Sequence, residues 1–179
     1  MQMYFTAIVL PQHLDEKIFL YKKWMQEKYN CKVGLKSPAH ITISPPFWMD
    51  ESKEQALIHD VEKMCAETVA FDVTTNNFSA FAQRTLFIAV EENQKLKDFK
   101  QRSDAFFRNS SYGMKSETRP FHPHITIATR DLHKKDFLEA WDYFKNKIFR
   151  EDFLATGLSL LKHNGKVWEV AYMAKFGAA

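Results

Sequence analysis

Apolar and polar positions follow one another along this 179-residue chain in two periods, and the order in which those periods appear occurs twice. Tyr4 to Leu10 is a mostly apolar run ended by Pro11, which predicts a buried strand. From about His13 to Lys28 the apolar residues Leu14, Ile18, Tyr21 and Met25 recur at helical spacing. A loop at 33–38 leads into a strand from His40 to Ser44. Asp50 and Ser52 are N-cap residues for a helix through about Glu67, with Ala56, Val61 and Met64 on its apolar side. Two strands follow, Ala70 to Phe81 and Thr85 to Glu91. The order then begins again. A helix is predicted over Lys95 to Phe107, a polar loop over 109–120, a strand over His124 to Ala128 and a helix over Lys134 to Lys147. Phe153 to Leu161 and Val167 to Ala174 are strands joined by the hairpin signal HNGK.

The two passes superpose at nearly constant offset: Tyr4 on Thr85 (81), His40 on His124 (84), Phe71 on Phe153 (82) and Thr85 on Val167 (82). An internal duplication explains this, with the Thr85 strand closing one unit and opening the next. The expected fold is α+β: one bilobal unit over 1–179, built of internally duplicated antiparallel sheets with helices on the outer faces and a central groove.

The duplicated segments carry one tetrapeptide, HITI, in PAHITISPPF and PFHPHITIAT. On a strand, His40 and Thr42 share one face and Ile41 and Ile43 the other; His124, Thr126, Ile125 and Ile127 divide in the same way. The isoleucines belong to a core. The polar pairs must face solvent or a cleft, because a buried imidazole or hydroxyl without a partner costs about 1–3 kcal/mol. Two imidazoles opposed across a phosphodiester can take a proton from the attacking oxygen and give one to the leaving oxygen. The threonine hydroxyls can bond the non-bridging oxygens.

Here the chain resembles the two-histidine (2H) phosphoesterases, which include bacterial 2′-5′ RNA ligase-like proteins and 2′,3′-cyclic nucleotide phosphodiesterases. The matching residues are the two H-x-T-x motifs with Pro38 before the first, Phe47 after it, Arg84-Thr85-Leu86-Phe87-Ile88 between them and Phe121-His122-Pro123 before the second. The resemblance implies a concave groove holding both motifs and hydrolysis of a 2′,3′-cyclic phosphate or a 2′-5′ linkage, with reversible 2′-5′ ligation as its back reaction. It also implies that no metal or nucleotide cofactor is needed. By the same analogy His124 is the base and His40 the acid when a cyclic phosphate opens to a 2′-phosphate. Relatives have a basic residue shortly after the second motif. Arg130, six positions beyond His124, stands one residue from the usual spacing.

Catalytic candidates are therefore His40, Thr42, His124 and Thr126. Substrate-binding candidates are Phe47 and Phe121, which could stack a nucleobase or belong to the core, and Arg84 and Arg130, which could reach phosphate or sugar. Trp48 is a weaker stacking candidate. His122 and His124 also have a metal-ligand spacing, but no acidic, His or Cys cluster accompanies them, so no metal site is expected. His13, His59, His133 and His163 are read as surface residues.

Composition narrows the function classes. A formal charge of +3 is compatible with an anionic ligand and lacks the dense basic stripe of a duplex-coating protein. Five glycines and no glycine-rich loop or GxSxG elbow leave nucleotide-triphosphate and hydrolase-elbow readings unsupported. Cys31 and Cys65 form no CxxC pair, the opening segment lacks a basic signal region, and no run approaches a membrane span, so a cytoplasmic location is expected. The expected partner is an RNA terminus or a small cyclic or 2′-5′-linked nucleotide, with no membrane and no obligatory protein partner. The alternative is a non-catalytic module that binds a nucleotide or RNA end in the same groove.

Overall fold

A computed structural model of the chain describes residues 1–115, 117 and 119–177. Its elements are β1 (Gln2–Val9), α1 (Gln12–Tyr29), β2 (His40–Met49), α2 (Glu54–Ala66), β3 (Phe71–Phe81), β4 (Thr85–Val90), α3 (Gln94–Phe107), β5 (His124–Ala128), α4 (Lys134–Phe144), β6 (Asp152–Ala155), β7 (Gly157–His163) and β8 (Trp168–Lys175). Short 3-10 turns, Val33–Lys36 and Glu51–Lys53, precede β2 and α2. The strands form two antiparallel sheets of four, in the orders β2-β1-β7-β8 and β5-β4-β3-β6. This is the α+β architecture expected from the pattern.

Three details depart from that pattern. The segment read as one strand, 153–161, divides at Thr156: β6 pairs with β3 in the second sheet, and β7 pairs with β1 in the first. The first sheet therefore takes β1 and β2 from the start of the chain and β7 and β8 from its end, so the sheets are not the two halves of the sequence. Second, β2 continues through Pro45 and Pro46 to Met49. An edge strand tolerates prolines, and the pairing with β1 is irregular there. Third, α4 stops at Phe144, three residues before the expected end.

Local chemistry explains the boundaries. The Asp50 carboxylate accepts the Ser52 amide at 3.0 Å, and the Asn93 side chain accepts the Leu96 amide at 3.0 Å to open α3. Asn30 ends α1 in the left-handed conformation at φ 56°. Gly165, at φ 94°, supplies the turn of the β7–β8 hairpin.

One contiguous core lies between the sheets and the helices. Leu14, Ile18 and Met25 of α1, Leu57, Val61 and Met64 of α2, Leu96 and Phe99 of α3, and Phe137 and Phe144 of α4 all enter it. Helix α2 packs on β7 and β8, while α1 lies against β5. Ile41, Ile43, Ile125 and Ile127 are each at most 1% exposed, and burying each contributes about 1.5–3 kcal/mol. That anchoring fixes which way the intervening side chains point.

Candidate active site

The motif strands β2 and β5 are edge strands of different sheets, and they lie against one another. The seam is tight. A Cβ on Gly34, in the turn before β2, would stand 2.2 Å from the Ile127 carbonyl oxygen of β5, so only glycine fits there.

The two motifs have matching surroundings. His40 pairs with Val9 and Thr42 with Ala7 across β1; His124 pairs with Ala89 and Thr126 with Phe87 across β4. All four motif side chains are half-buried on the face opposite the isoleucines. Just after each threonine the register slips by one: β1 pairs Thr6 with Ser44, and β4 pairs Leu86 with Ala128.

Each imidazole is held by the backbone two residues before it. His40 Nδ1 lies 2.7 Å from the Pro38 carbonyl oxygen, and His124 Nδ1 lies 2.7 Å from the His122 carbonyl oxygen. A carbonyl only accepts, so each Nδ1 carries the proton, and the neutral ring keeps an unprotonated Nε2 for other chemistry. Burial pushes the His40 imidazole down to about 4; the Pro38 carbonyl opposes this, and the positive charges of Lys22 and His124 add to it. Burial also lowers His124 from the ordinary histidine value, with the His122 carbonyl opposing and the charge of His122 assisting. The influence of His124 on His40 places both motifs in one electrostatic neighbourhood.

Aromatic rings brace both histidines. The Phe5 ring centre lies 4.9 Å from that of His40, and Phe5 meets Trp168 edge-on at 4.6 Å. Phe81 and Phe87 each lie 5.1 Å from His124. Phe5, Ala7 and Leu161 form a small apolar cluster on the groove side of the first sheet, with Val9 and Trp168 packed on it. Sequence reasoning missed these residues because β1 is apolar on both faces and shows no alternation to separate groove from core.

The expected substrate-binding residues are dispersed. Phe47 is 4% exposed and stacks on Tyr4 at 6.1 Å, so it is a core residue; its ring is covered and cannot take a base. Phe121 is half-buried against the core, with the Lys100 ammonium 5.9 Å from its ring centre. Arg84 is exposed at the β3–β4 turn, and Arg130 is exposed beyond the end of β5. These two mark the same end of the second sheet, because the Thr85 and Thr129 hydroxyls touch at 3.0 Å. His124 begins β5 at the opposite end. The register slip also brings Thr129, not Arg130, onto the face of Thr126.

Trp48 is exposed beside Met3, at the rim of a cavity of about 560 Å³ lined also by His163 and Asn164. That cavity lies at the outer ends of β1, β2 and β7, away from the histidine seam. His13, His59 and His133 are exposed, whereas His163 is half-buried against Trp168 at 4.9 Å. Among the described residues, no three His, Cys, Asp or Glu side chains gather into a metal-binding group, and no helix is long and apolar enough to cross a membrane.

Comparison with known proteins gives the same picture. The family model of the 2′-5′ RNA ligase superfamily matches residues 11–167. A protein of Oceanobacillus iheyensis, OB1230, is 28% identical over 151 residues, covering 82% of this chain and 84% of its own, and has the word phosphoesterase in its name. The fold is similar to that of TT0787 of Thermus thermophilus, at a TM-score of 0.67 and 15% identity over 98% of both chains. It is also similar to that of E. coli LigT crystallised with 3′-AMP, at a TM-score of 0.66 and 18% identity over 98% of both chains. The paired H-x-T strands and the family match over most of the sequence lead to one conclusion: the chain belongs to the 2′-5′ RNA ligase superfamily, the two-histidine phosphoesterases.

Proposed function

We propose that this chain is a phosphodiesterase that opens 2′,3′-cyclic phosphates or cleaves 2′-5′ linkages at RNA ends or in small nucleotides. One observation carries the reading: both motif imidazoles are tied through Nδ1 to a backbone carbonyl, so each has Nε2 free on the groove face of strands that lie against one another. That is the arrangement in-line displacement needs, with a proton acceptor at the attacking oxygen and a proton donor at the leaving oxygen. Thr42 and Thr126, half-buried on the same faces, bond the non-bridging oxygens and stabilise the charge that builds on them. The 3′-AMP in the LigT crystal supports a nucleotide as ligand.

One imidazole takes the proton of the attacking oxygen and the other gives one to the leaving oxygen. Burial lowers the proton affinity of both rings, and the charge of Lys22 adds to this at His40. A phosphate bound between the rings adds negative charge and favours the single proton that the acid must carry. In ligation the roles exchange.

The test is incubation of the protein, with EDTA present, with 2′,3′-cyclic AMP, a 2′-5′-linked dinucleotide and an oligonucleotide ending in a cyclic phosphate. Product from at least one substrate, seen by chromatography, is the expected result. Saturable binding with no product from any of them would overturn the proposal in favour of a binding module.

A further inference from the structure

Helix α1 buries a stripe of four residues, Leu14, Ile18, Lys22 and Met25, and one of them is a lysine only 3% exposed. Lysine is almost never buried to this degree without a paired charge. Lys22 has no carboxylate within ion-pair distance among the described residues; its ammonium donates to the Ser37 carbonyl at 3.0 Å. Asp15, on the same helix, instead accepts the Ala39 amide at 2.6 Å. The residue between, Pro38, offers its carbonyl to His40 Nδ1 at 2.7 Å. Three consecutive residues are thus fixed, two of them by α1 and the third by the imidazole.

The second motif is built differently. Helix α3 also buries one lysine, Lys100, 6% exposed, but both oxygens of Asp104 neutralise it, at 2.5 and 2.7 Å. Among the described residues, the chain therefore holds a buried cation without an ion-pair partner beside one motif histidine and an ion-paired one near the segment entering the other.

We propose that Lys22 is a positioning residue for His40: its ammonium holds the Ser37–Pro38 peptide that aims the ring and sets an unpaired positive charge behind it. The inference rests on the reading of His40 and His124 as an acid–base pair, since a cation behind one ring lowers its proton affinity relative to the other. The charged groups facing this place are Asp15 from α1, His40 from β2 and His124 from β5. Asp131, beyond β5, is engaged by the Lys32 and Val33 amides. Burial lowers Lys22 to about 8, with the charge of Asp15 opposing, so it is charged where the lowered His40 titrates.

The test is an NMR titration of the histidine ring protons in the substrate-free protein, together with the pH profile of kcat/KM. In the unmodified chain His40 is expected to titrate below His124. In Lys22→Met, which keeps length and apolar contact, His40 should rise by several tenths of a pH unit while His124 stays nearly in place. The acidic limb of kcat/KM should move with it. His40 titrating above His124 in the unmodified chain, or unmoved in a folded Lys22→Met, overturns the proposal even if activity falls. The titrations need no substrate, so their outcome is separate from that of the phosphodiesterase assay.

Discussion

At the scale of single residues, the account rests on imidazoles with fixed tautomers and different surroundings. The kcat/KM of the free enzyme rises as the base loses its proton and falls as the acid loses its own. With His40 near 4 and His124 below the ordinary value of about 6.5, the profile should peak on the acid side of pH 6.5 and decline by pH 7. Rates measured from pH 4 to 9 check this; a maximum above pH 8 contradicts it. The threonines contribute hydrogen bonds only. Thr42→Val and Thr126→Val should each cost about tenfold in kcat, as expected for one uncharged bond. The four motif residues could be read from the sequence because strand alternation assigns His and Thr to the face opposite two isoleucines. Lys22 could not: a lysine within a helical apolar stripe reads as a solvated interruption until the chain around Ser37 is seen to cover it.

Elements were legible where one period dominated. The α1 and α3 stripes and the HNGK hairpin were clear, whereas the division of 153–161 at Thr156 was not, because apolar residues continue through the crossover from one sheet to the other. The bulges after Thr42 and Thr126 were equally hidden. Pairing register is a property of two strands, and one strand's sequence does not state it. The three-residue β3–β4 turn carries a testable oddity: Ala82 and Gln83 both have positive φ, 44° and 52°, a pair of left-handed positions that favours Asn-Gly. Gln83→Gly should stabilise the fold by about 1 kcal/mol and raise the melting temperature by about 2–4 °C. Calorimetry checks the sign, and a lower melting temperature would contradict the strain.

For the whole molecule, the decisive feature is the seam where two sheets meet along their motif strands. Gly34→Ala drives a methyl group into the Ile127 carbonyl, backbone against backbone, and should cost about 1–3 kcal/mol of stability together with a loss of turnover. Urea unfolding and a rate assay would show the two falling together. The repeated element order made two sheets and a groove legible in the sequence. It did not reveal that β7 and β8 return to the first sheet, since that pairing joins the two ends of the chain. Which of its two readings Phe47 takes was hidden for a related reason: it follows the motif closely, but the irregular pairing around Pro45 and Pro46 turns it onto Tyr4 in the core. The central claim is that His40 and His124 act on one phosphorus atom. Its most direct test is kcat for a cyclic-phosphate substrate in His40→Ala, His124→Ala and the double variant. Each single change should cost about a hundred- to ten-thousand-fold, and the double variant should be little worse than the poorer single, as for groups that act as a unit. Near-normal turnover in either single variant, or losses that multiply in the double, would contradict it.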